Sequence, residues 1–106
     1  MATNKEYMEY ILEQLPAGCR TRPMMGEYLV YYRNKHAANL CDDRLLVKPV
    51  PAALELLHPP IWEAPYEGAK KMLLVKQVDD RDFLSRLMEV IYPQLPAPNS
   101  KKKATK

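Results

Sequence analysis

A chain of 106 residues, 47% hydrophobic and 27% charged, is long enough to bury one core without metal or disulfide staples, as an ordinary globular domain does. Its best apolar run, Met72–Val75, falls far short of the ~20 residues that span a bilayer. The start, MATNKEYMEY, is polar where a signal peptide needs its apolar core, so the expected location is the cytoplasm. Lys101, Lys102, Lys103 and Lys106 account for more than the formal charge of +3 and leave the body at −1, which argues against a basic nucleic-acid footprint on the fold itself.

In chain order, Thr3 to Leu15 reads as an amphipathic helix. Thr3 and Glu6 have capping-box spacing, and Met8, Ile11, Leu12 and Leu15 recur on one helical face. Pro16 and Gly18 stop it. Cys19 to Met25 reads as extended, because Pro23 disfavours helix at Arg22, and Gly26 reads as a bend or bulge. Tyr28 to Arg33 is a strand with Tyr28, Val30 and Tyr32 on one side and Leu29 and Tyr31 on the other. Asn34-Lys35 is the expected first turn, His36 to Cys41 the returning strand, Asp42-Asp43 the second turn and Arg44 to Lys48 the third strand. On that last strand Leu45 and Val47 share one face; Arg44, Leu46 and Lys48 share the other, which should be partly wet.

Pro49 closes this run, and Pro51 suits the first turn of a short helix to Leu57 that buries Leu54 and Leu57. Ile61 to Ala69 reads as irregular, anchored by Trp62 and Tyr66. Met72 to Lys76 is a further strand. Asp79 or Asp80 caps the last helix, whose apolar stripe is Phe83, Leu84, Leu87, Met88 and Ile91. The result is one α+β domain over residues 1–98: a curved antiparallel sheet, a three-strand meander plus at least one further strand, flanked by helices. Residues 99–106 are a lysine-rich tail expected to be disordered.

The chemistry is sparse. Cys19, Cys41, His36 and His58 have no metal-ligand spacing, and His36 and Cys41, five apart on one strand, should face opposite ways. Asp42-Asp43 and Asp79-Asp80-Asp82 coincide with a turn and a helix start, where carboxylates are favoured locally. With three glycines, no phosphate loop or nucleophile elbow assembles. No catalytic residue, cofactor or metal site is therefore expected. Seven tyrosines, six methionines and one tryptophan are more informative, because such side chains are enriched where proteins dock. The candidate interaction surface is Met24, Met25, Tyr28, Tyr31, Arg44, Lys48, Trp62 and Tyr66. A weaker alternative is nucleic-acid binding through Arg20, Arg22, Arg44, Lys48 and the tail; a third is a ligand pocket under Trp62 and Tyr66.

One resemblance bears on this. Arg22-Pro23-Met24-Met25-Gly26-Glu27-Tyr28, Arg33-Asn34-Lys35, Asp42 through Pro49 and Pro65-Tyr66-Glu67-Gly68-Ala69-Lys70-Lys71-Met72 together resemble the TfoX N-terminal-domain family, of Sxy type. The likeness runs over essentially all of the chain before the tail. It implies a secretion-chaperone-like α+β fold that often forms homodimers. It also implies a regulatory protein partner, since two-domain relatives act with the cyclic-AMP receptor protein at competence promoters. This chain is expected to be a stand-alone first domain, with no membrane contact and no established active site to carry over.

Overall fold

The computed structural model describes residues 4–96. Six antiparallel strands form one open sheet in the order β1-β2-β3-β4-β6-β5: β1 Cys19–Met24, β2 Glu27–Tyr32, β3 Lys35–Cys41, β4 Arg44–Val47, β5 Trp62–Glu63 and β6 Met72–Val75. Three helices accompany it, α1 Lys5–Gln14, α2 Pro51–Leu56 and α3 Arg81–Ile91, the last running into a short 3-10 turn at Tyr92–Gln94. The class is the α+β arrangement expected. The meander has four strands, because Cys19–Met24 pairs fully with β2.

Its three hairpins share one turn chemistry. Met25-Gly26, Arg33-Asn34 and Asp42-Asp43 each join strands through two residues of positive φ: 52° and 85°, 50° and 74°, 55° and 57°. That is the pattern of type I′ turns, whose twist matches that of the flanking strands. The first hairpin turn within the expected meander thus lies one residue earlier than Asn34-Lys35. Lys35 instead opens β3, and its ammonium reaches the Tyr92 carbonyl at 3.2 Å.

All three helices contribute to one core on one side of the sheet. Val30, Tyr32, Ala38, Leu40, Leu45, Val47, Leu73 and Val75 supply its floor. Met8, Ile11 and Leu15 from the first helical segment, Ala53 and Leu57 from the second, and Leu84, Leu87, Met88 and Ile91 from the third close over it. Fully burying a side chain such as Leu87 stabilises by about 1.5–3 kcal/mol. Leu54 is only half-buried; Ala53 takes the inward position on α2 instead, with Leu57.

Local caps hold the helix ends. Asn4, not Thr3, caps α1, its side chain accepting from the Glu6 N–H at 2.7 Å; Thr3 lies outside the described residues. Asp80 caps α3 by accepting from the Phe83 N–H at 3.0 Å, while Asp79 accepts from the Tyr10 hydroxyl and so ties α1 to the approach to α3. The expected tail, 99–106, also lies outside the described residues.

Candidate interaction surface

Because directly paired residues share a face of an antiparallel sheet, the register defines the side away from the helical core. Arg22, Leu29, Asn39, Leu46 and Leu74 form its central row, each paired with the next. On one flank run Arg20, Tyr31 and His36; on the other Met24 and Glu27, then Cys41 and Arg44. Leu46, Cys41, Met72 and Asn39 are buried here without belonging to the helix-side core. The face expected to be partly wet at Leu46 is therefore dry at its centre.

A bulge at Val30/Tyr31 decides the most informative contact on this face. Val30 pairs with Ala38, but Tyr31 pairs with His36, so β3 spends one extra residue there. The extra residue brings His36 to the same side as Asn39 and Cys41, correcting the expectation that His36 and Cys41 face opposite ways. His36 Nε2 lies 2.6 Å from Asn39 Oδ1 and 3.1 Å from the Ala38 carbonyl. The His36 ring lies 5.6 Å from the Tyr31 ring, and the Arg20 guanidinium sits 4.8 Å from the Tyr31 centroid on its other flank. Burial holds the His36 pKa below its ordinary value, with the nearby Lys48 charge acting in the same direction.

Charges on this face are unevenly paired. Arg44 donates to the Glu63 carboxylate and, at 3.4 Å, to the Ala64 carbonyl, so the end of β5 and the residue after it are tied to the start of β4. Lys48 has no ion-pair partner among the described residues; burial lowers its pKa. Arg22 likewise lacks one. One Glu27 carboxylate oxygen is buried without a hydrogen-bond partner among the described residues. Beside it the Cys41 thiol is pushed up to about 12, chiefly by burial and next by Glu27; burial also takes Cys19 to about 11. Neither cysteine is bonded to another, and both are poor nucleophiles near neutral pH.

The structure divides the eight candidate residues. Met24, Tyr31, Arg44 and Lys48 belong to the side opposite the helices. Met25 stands next to Met24 at the β1–β2 tip, 92% exposed, at the opposite end of the hairpin from Tyr31. Tyr28 does not join them: it alternates onto the helix side and packs against the core. Trp62 and Tyr66 do not anchor their segment, being 45% and 51% exposed; Trp62 forms part of β5, and Pro65 is the buried residue between them. A depression of about 200 Å³ lies against Leu57, His58, Ile61, Leu74 and Lys76 and is bordered by neither Trp62 nor Tyr66. The place of His36 on this face is not legible in the sequence, because a bulge leaves no mark in the alternation pattern; Asn39, which it meets, is buried on the same side.

Among the described residues no group of three or more His, Cys, Asp or Glu side chains could hold a metal ion, and no helix is long and apolar enough to cross a membrane. The chain is 35% identical over 109 residues to a protein of Spirochaeta aurantia described as the uncharacterized 12.7 kDa protein in the trpE 5′ region, a match covering 100% of this chain and 95% of that one. The chain belongs to that protein's family. The shared length extends the kinship over the whole sheet and all three helices, including both sides of the β1–β2 tip. No protein-family model matches the chain. Nor does any solved structure.

Proposed function

We propose that this chain is a non-enzymatic protein-interaction module of regulatory type, resembling the N-terminal domain of TfoX/Sxy competence regulators, which docks a cytoplasmic protein partner on the helix-free side of its sheet. The observation that carries this reading is Met25. An L-residue in the left-handed region costs roughly 1–2 kcal/mol, and a methionine 92% exposed contributes nothing to the core. Asparagine or glycine would make the same turn at lower cost, so the side chain is explained by contact with something outside the chain. Tyr31, held between Arg20 and His36, supplies an ordered aromatic on the helix-free side at the other end of the same hairpin.

The test compares Tyr31→Ala and Met25→Ala with the parent chain in affinity capture from the native host and in light scattering across concentration. Each variant is expected to lower partner capture or self-association at least tenfold with an unchanged circular-dichroism spectrum. A chain monomeric at every concentration that captures no partner overturns the proposal.

The second reading, nucleic-acid binding, has one observation in its favour: among the described residues Arg20, Arg22 and Lys48 lack carboxylate partners, and they share a side of the sheet with Tyr31 and His36; single strands bind such mixtures of cations and rings.

A further inference from the structure

β1 is one end of the sheet, and no strand of the described chain pairs with its outer side. Which main-chain groups lie open there follows from the hydrogen-bonding phase. The Arg33 N–H donates to the Gly18 carbonyl at 3.1 Å, and bonded pairs recur at every second residue, so Arg20, Arg22 and Met24 turn their main-chain groups inward to β2. Cys19, Thr21 and Pro23 turn theirs outward. The Cys19 N–H already donates to the Pro16 carbonyl at 3.3 Å, and Pro23 has no N–H. The open edge therefore offers one donor, on Thr21, and three acceptors, the carbonyls of Cys19, Thr21 and Pro23. A row of carbonyls repels phosphates and suits the N–H groups of an extended peptide.

The side chains specify the kind of peptide. Arg20 and Arg22 flank Thr21 on the helix-free side; Arg20 lies over the Tyr31 ring, and neither arginine has an ion-pair partner among the described residues. The carboxylate of that side on the adjoining strand is Glu27, two positions from the Arg22 pair and opposite Met24. A second copy of this chain fits poorly. Whether a two-fold axis passes through Arg20, Thr21 or Arg22, antiparallel pairing of β1 with itself sets arginine against arginine, and like charges directly opposite are destabilising.

Resting on the interaction reading above, we infer that β1 receives an extended segment of a partner protein in which two acidic residues flank the residue opposite Thr21. That residue exchanges two hydrogen bonds with Thr21. The residues two positions to either side donate to the Cys19 and Pro23 carbonyls, and the acidic pair meets Arg20 and Arg22. The next outer-face position of the peptide lies over Met24, with Met25 at the end of the groove.

The probe is a capped octapeptide, Val-Thr-Val-Glu-Thr-Glu-Val-Thr, titrated into the full ¹⁵N-labelled chain, against the same peptide with lysine for both glutamates and against a dT₁₂ oligonucleotide. The acidic peptide is expected to bind at least tenfold more tightly than the lysine peptide and to slow exchange of the Thr21 amide. Arg20→Glu with Arg22→Glu should reverse the preference. Thr21→Pro removes the outward donor while sparing the β1–β2 ladder, and should weaken binding at least tenfold; should that variant unfold, the charge reversal stands as the test. Equal binding of the two peptides, shifts away from β1, or tighter binding of dT₁₂ overturns the inference. If Tyr31→Ala still lowers capture of the native partner while the peptides fail to bind, the edge falls and the interaction reading stands.

Discussion

Met25 and His36 each hold a position that carries a cost imposed by the fold. For Met25 that is backbone geometry. Replacement by asparagine, which tolerates positive φ, should stabilise the fold by about 1 kcal/mol and raise Tm by roughly 4–8 °C. The same replacement should weaken partner capture, a combination that a purely structural role for Met25 does not produce; calorimetry and capture on one preparation check it. For His36 the issue is charge. Its pKa is lowered from 6.5 by burial against the opposing pull of Asn39 and the Ala38 carbonyl, so the folded chain binds fewer protons than the unfolded one at that site. The associated stability is present above pH 6.5 and drains away as pH falls through the lowered value. Urea unfolding should show midpoints declining below pH 6.5, with a shallower decline in His36→Gln.

Elements are most legible in the sequence where one repeating pattern controls them. Of the stripe Phe83, Leu84, Leu87, Met88 and Ile91, the last four are fully inside and Phe83 packs half-buried against the core; β2 alternates as its residues imply, with Val30 and Tyr32 buried. Boundaries depended on turn chemistry. Asn34 favours the left-handed region by its residue type, yet Arg33 adopts the same region beside it, which sets the turn one residue earlier than Asn34-Lys35. Arginine has no intrinsic preference for that conformation; its guanidinium lies 4.7 Å from the Tyr32 ring and 3.2 Å from Glu89 on α3, the latter a contact made only once the hairpin packs on the helix. The cap of α3 was narrowed to two aspartates, and the structure separates their roles. Asp80→Ala should cost about 0.5–2 kcal/mol by losing the bond to the Phe83 N–H. Asp79→Ala should cost less, since it breaks an exposed contact with Tyr10; thermal melts of the two variants give the comparison.

At the scale of the molecule, charge and layering set what the domain can contact. With the body at −1, any affinity for DNA should reside in the four terminal lysines, with a salt slope near −3.6, about 0.9 per phosphate. Fluorescence anisotropy with duplex DNA should therefore show binding to the full chain that vanishes on deleting residues 99–106; binding that survives deletion at physiological salt would point back to Arg20, Arg22 and Lys48. Several molecule-scale features were not legible in the order of residues. The register set by the Val30/Tyr31 bulge placed His36 beside Tyr31, the pairing of Trp62–Glu63 with β6 left Trp62 half exposed, and the common side chosen by all three helices left the opposite face to Arg20, Tyr31 and Lys48. Residues 22 to 49 by themselves determined a hairpin meander, and the helical patterns before and after them made the domain α+β, because alternation, turn residues and caps act between near neighbours. Tertiary structure alone decided which side of that meander stayed uncovered and that β1 stands at its open edge, because both depend on pairings between strands and helices far apart in the chain.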